Sequence, residues 1–153
     1  MKNIFAIFLL STFLLSVFSC KEDDSLAISQ DQLLRANKWQ LKEIRYTKEN
    51  KDSIDKLLEC ERKSTLDFTD IEKYASVAYN NVNNNCTQTQ TEGKYTFETD
   101  KSKRTLYTTP TGGELKKYYM YQLDPYYMIL QDTLKKDDPM QFRRFVFQPV
   151  KMK

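Results

Sequence analysis

A chain without a single histidine gives up the commonest general acid–base and metal-binding side chain. Ser-His-Asp, Cys-His and histidine–zinc mechanisms are thereby excluded. What could still do chemistry is a set of three cysteines, Cys20, Cys60 and Cys86, and a scatter of carboxylates. The close carboxylate pairs are Asp67 with Asp70, Glu59 with Glu61, and Asp137 with Asp138. None has a spacing that sets a general acid against a base or nucleophile, and solvated turns account for all of them. Calcium at Asp137-Asp138 would lack enough oxygen ligands. The cysteines have neither a CxxC spacing nor further soft ligands. Gly93, Gly112 and Gly113, the only glycines, cannot build a GxGxxG or Walker-type phosphate cradle. The residue inventory therefore predicts no catalytic residue, no metal and no cofactor, and argues against an enzyme.

Cys20 differs from the other two cysteines in what precedes it. Lys2 is followed by an apolar run, Ile4 to Leu10 and Phe13 to Leu15, that carries no charge up to Ser19. A positive residue ahead of such a run is the layout of a secretory signal. The stretch approaches bilayer-spanning length, so an uncleaved anchor is the alternative. Against it, the chain turns abruptly polar at Lys21-Glu22-Asp23-Asp24. Val17-Phe18-Ser19-Cys20 resembles a bacterial lipobox, with an aliphatic residue, a small residue and the modified cysteine in order. That resemblance implies cleavage after residue 19, a diacylglycerol on the Cys20 thiol and acylation of the new amine. Two or more acyl chains, at about 0.8 kcal/mol per buried CH₂, hold a protein stably on a membrane. Cys20 to Asp24 also resembles the lysine-plus-acids signal that sends lipoproteins of Bacteroidetes-type bacteria to the outer cell surface. Residues 1–19 are thus expected to be a signal peptide and 20–28 a lipidated acidic tether. The expected place is the outer membrane, on its surface or its periplasmic face.

Export leaves Cys60 and Cys86 as an even pair in an oxidising compartment, where a disulfide is the natural expectation. It would close a loop of about 27 residues, and the chain-entropy estimate for that is on the order of 3–4 kcal/mol.

Of 153 residues, 134 remain after the signal, which suits one domain with one hydrophobic core. The formal charge of +3 falls to +2 without Lys2. Basic residues are scattered between acids with no basic helix or long run, which argues against nucleic acid as a partner. A monomer is expected.

Ser29 to Ala36 reads as a short helix: Ser29 and Gln32 form a capping-box pattern, Leu33 and Leu34 an apolar face, and Asn37 a left-handed stop. After Asn37 the period becomes two. Trp39 and Leu41 share one parity while Ile44 and Tyr46 share the other, which requires a bulge or bend near Glu43. Residues 48–58 read as a loop with at most one helical turn. Strands then recur over 63–68, 73–79, 94–98, 104–108, 114–123, 126–132 and 140–148, separated by turn-forming residues. With the first, that makes eight. Short links join antiparallel neighbours, and alternations such as Tyr95 and Phe97 against Lys94, Thr96 and Glu98 leave one face wet. A ribbon with one apolar face is best satisfied by curling shut. Residues 29–150 are therefore expected to form an all-β, eight-stranded antiparallel up-and-down barrel with a short N-terminal helix.

The helix, the opening Asn37-Lys38-Trp39, two cysteines in the first half and evenly spaced strands together carry a likeness. They resemble the lipocalin-like domains of Bacteroidetes lipoproteins over nearly all of residues 30–150. Asn37 stands where lipocalins have the glycine of Gly-x-Trp, and asparagine tolerates positive φ better than most residues. The resemblance implies that Trp39 closes the base of the barrel. It also implies a calyx for a small apolar or amphipathic molecule, for which Phe68, Tyr95, Phe97, Tyr119, Tyr121 and Phe142 are candidate lining, with Tyr74, Tyr107 and Tyr127 in the wider set. The alternative is a barrel packed solid that contacts a surface protein or glycan through loops and the aromatic stretch from Lys116 to Tyr127.

Overall fold

The computed structural model describes residues 30–49, 51–100, 103–135 and 138–150. The expected signal peptide, the tether with Cys20, and the capping residue Ser29 lie outside them. Residues 30–35 form helix α1. Nine strands follow: β1 Lys38–Lys48, β2 Lys51–Asp55, β3 Thr65–Asp67, β4 Lys73–Val82, β5 Asn85–Asp100, β6 Lys103–Pro110, β7 Lys116–Leu123, β8 Met128–Lys135 and β9 Asp138–Pro149. From β3 to β9 each strand pairs antiparallel with the next, and β9 pairs with β1, from Trp39↔Pro149 to Thr47↔Phe142. The other side of β1 is shared. Lys38–Gln40 pairs with β3, and Ile44–Lys48 pairs with β2. Eight strands therefore close an up-and-down barrel, and β2 is an additional arm with one neighbour.

The bulge near Glu43 is present. Pairing with β9 moves from Leu41↔Phe147 to Glu43↔Val146, so Lys42 is the extra residue and Ile44 returns to the interior after Trp39 and Leu41. Three local expectations need correction. Strand β2 occupies part of what reads as a loop; its five residues are all exposed, so no apolar alternation marks it. Strand β5 starts at Asn85 rather than Lys94, because Asn83 and Asn84, with φ of 51° and 63°, make a tight hairpin turn of type I′ character and set Asn85 opposite Val82. Asn37 does not take a positive φ. At that end of α1 the Trp39 indole N–H donates to the Leu34 carbonyl at 2.9 Å, meeting an acceptor that a helix terminus leaves over.

Helix α1 lies over the barrel end where β1 begins. There Leu34, Trp39 and Phe68 are wholly buried, and the Phe68 ring meets Tyr95 edge-on at 5.1 Å between centroids. Met120, Met128, Leu106 and Leu130 continue this cluster up the interior.

Candidate functional site

Beyond the base cluster the interior is not filled. A cavity of about 350 Å³ opens among β1 and β3 to β9. That is the scale of a small-ligand pocket. Period-two alternation sets its wall: Leu106 and Thr108 come from β6, Leu130 from β8, Phe145 and Phe147 from β9, and Leu41 and Ile44 from either side of the β1 bulge. Ser76 and Ala78 on β4 are small, and their size leaves the room that larger side chains would take. Leu57, Glu61 and Ser64, from the segment between β2 and β3, complete one side.

Polar side chains share the wall, among them Ser64, Thr65, Ser76, Thr91 and Thr108 and the charged Glu61 and Lys116. Burial pushes the Tyr74 hydroxyl pKa above its ordinary value, partly offset by a hydrogen bond with Thr108. Tyr118 is raised by burial and then by the charge of Asp132. Both hydroxyls therefore stay protonated at neutral pH and can donate to a ligand. Two residues along from the Leu130 and Phe145 positions, Asp132 and Arg143 face each other as register partners. The guanidinium holds both carboxylate oxygens, at 3.0 and 2.6 Å, and lies 4.6 Å over the Phe145 ring. The hydrogen bond to Asp132 raises the Arg143 pKa against the opposing effect of burial. Lys116, also in the wall, has no ion pair among the described residues.

None of Phe68, Tyr95, Phe97, Tyr119, Tyr121 and Phe142 lines this cavity. Phe68 and Tyr95 belong to the base cluster, with Phe97 packed against it. Tyr119 and Tyr121 are 38% and 45% exposed, because the buried β7 residue between them is Met120 and Tyr121 is the extra residue of a second bulge. Phe142 and Tyr121 both receive the Arg144 guanidinium, at 4.6 and 3.8 Å from their ring centroids. Of the wider tyrosine set, Tyr74 is in the wall and Tyr107 and Tyr127 are not. Aromatic type does not mark the aliphatic part of this wall; strand parity does. Carrying the parity of Leu106, Leu130 and Phe145 across each pairing finds it.

Trp39 is fully buried at the α1 end of the barrel. Cys60 and Cys86 are joined as a disulfide, which ties the segment after β2 to the β4–β5 hairpin.

A closed antiparallel barrel, covered by a helix at one end and holding an apolar cavity farther along, is an architecture suited to holding a small molecule. The model of the lipocalin-like domain family matches residues 36–130, and the chain belongs to that family. Its fold is typically one of binding rather than catalysis. No curated protein and no solved structure matches the chain.

Proposed function

We propose that this protein is a lipoprotein, held at the outer membrane through Cys20, whose barrel binds a small apolar or amphipathic molecule. The observation that carries the binding reading is the cavity of about 350 Å³, lined by Leu41, Ile44, Leu106, Leu130, Phe145 and Phe147 on its apolar side, with hydroxyls and the charged Glu61 and Lys116 to orient an amphipathic ligand. A barrel packed solid, working only through its loops against a protein or glycan, is disfavoured by that empty space. The anchor rests on the resemblance of residues 17–20 to a lipobox and on the charged tether after it. Display on the cell surface rests on Cys20 to Asp24.

Native mass spectrometry of the protein extracted from its own membranes tests both parts. The expected spectrum carries acyl mass on Cys20 and a retained small molecule. Ala78→Trp, which fills the cavity from its wall, should weaken binding of 1-anilinonaphthalene-8-sulfonate at least tenfold. Unmodified Cys20 would refute the anchor. An empty protein, with dye binding indifferent to Ala78→Trp, would refute the pocket.

A further inference from the structure

We propose that residues 56–64 form a shutter in the side wall of the barrel, covering the route by which molecules reach the cavity, and that the Cys60–Cys86 bond is its latch. This rests on the cavity being the binding site.

The wall is interrupted at one place. Strand β3 is three residues long and pairs with β4 only over Ala75–Val77. Among the described residues, β4 beyond Val77 has β5 as its only strand partner. On the facing side, β1 pairs with β3 up to Gln40 and with β2 from Ile44 onward, so neither strand covers residues 41–43 there. Strand β2 likewise pairs with β1 alone among the described residues. A closed barrel has no free edges, yet here β2 and the distal half of β4 face a gap with unpaired edges.

Residues 56–64 fill that gap without joining the sheet. Their backbone bonds are mostly internal: Arg62 N–H to the Leu58 carbonyl, Lys63 to Cys60, and Ser64 to Glu61. The hold on the barrel is gathered at the C-terminal end. Leu41 N–H donates to the Ser64 carbonyl, Tyr79 N–H to the Ser64 hydroxyl, and the Gln40 side chain to the Arg62 carbonyl. Upstream of Arg62, what ties the segment to the wall among the described residues is buried Leu57 and the disulfide. Leu57, Glu61 and Ser64 themselves line the cavity, so displacing the segment exposes it directly. A segment with few sheet hydrogen bonds opens at lower free energy than the strands around it.

The latch opens by thiol–disulfide exchange. A dithiol attacks the sulfur of Cys86, which is exposed, and the S–S bond breaks. Its second thiol resolves the mixed disulfide, so Cys60 and Cys86 end as thiols with one proton each and the dithiol as a disulfide.

Amide hydrogen exchange of the mature protein, before and after dithiothreitol, reads the shutter without a ligand. Amides of residues 57–64, with those of Leu41 and Tyr79, should exchange at least tenfold faster after reduction. Leu106 and Leu130 should keep their protection. Stopped-flow release of 1-anilinonaphthalene-8-sulfonate should accelerate at least fivefold, both on reduction and in the Cys60→Ser, Cys86→Ser double variant. Unchanged exchange at 57–64, or protection lost equally at Leu106 and Leu130, would overturn the proposal; so would a folded reduced protein that releases dye at the oxidised rate. Should the oxidised protein take up no dye, the pocket reading fails, and exchange alone decides the shutter.

Discussion

Trp39 has two separable roles, filling the base of the barrel and supplying one N–H. Its indole bonds the Leu34 carbonyl where α1 ends, with no solvent access to either residue. Trp39→Phe keeps most of the apolar burial but leaves that carbonyl without its partner. The expected cost is roughly 1–3 kcal/mol, the range for a buried acceptor made unsatisfied. It would be measured as a lower urea midpoint at unchanged m-value. A loss below half a kcal/mol would mean that water or another donor replaces the indole. The sequence placed this residue only through the resemblance of Asn37-Lys38-Trp39 to the opening of lipocalin-like domains; its strand parity alone marks it as a buried aromatic. The cavity wall was less legible. Which of Tyr118, Tyr119, Met120 and Tyr121 points inward depends on the bulge at Tyr121 and on pairing with Leu130, and neither is written in β7 alone.

Strand legibility followed apolar alternation. Strand β1 and the Lys94–Glu98 part of β5 carry it, and β6 and β9 are marked by buried apolar residues such as Leu106 and the adjacent Val146 and Phe147; their reading differs from the structure only at their ends. The arm β2 and the first half of β5, Asn85 to Glu92, are exposed on nearly every residue and carry no such mark in the sequence. Their structure comes from hairpin closure and cross-strand pairing, not from a buried face. The β4–β5–β6 contact also hides a steric requirement. Gly93 pairs with Tyr74 on one side and Pro110 on the other. A Cβ there would stand 2.1 Å from the Thr109 carbonyl oxygen and 2.9 Å from the Pro110 Cα, both backbone atoms that cannot rotate away. Gly93→Ala must therefore move β6 away from β5. Forced shifts of this kind cost roughly 1–3 kcal/mol, which for a domain of this size lowers Tm by about 5–15 °C. Because Tyr74 and Pro110 also line the cavity, dye affinity should fall with it. A thermal melt within 2 °C of wild type, a tolerance below the ~5 °C minimum expected here, would show that the strands give way freely.

Closing the sheet through β1 and β9 gathers groups that the chain holds far apart, and the titration of the whole barrel reflects this. Tyr74, Tyr95 and Tyr118 come from three strands, and burial is the main cause of a raised pKa in each. The unfolded chain has no such environment and releases these protons near the ordinary value of 10.0. Above that pH the folded state therefore binds more protons than the unfolded one, and stability falls with rising pH by linkage. The stabilising contribution is complete below about pH 10 and is lost as pH climbs toward the folded-state values. Urea midpoints should accordingly stay level from pH 7 to 9 and drop between pH 10 and 11.5. Tyr118→Phe should make that drop shallower, because a side chain that cannot ionise has no proton to hold. The hydrogen bond to Asp132 moves the Arg143 pKa up, away from this window, so an Asp132→Asn variant is the control. It would lower stability at every pH through the loss of one of its two guanidinium bonds and of the carboxylate charge, while the alkaline fall kept nearly its wild-type steepness, softened only by the relief of the Asp132 charge on Tyr118. An alkaline fall of the same steepness in Tyr118→Phe as in wild type would place the responsible protons elsewhere in the molecule.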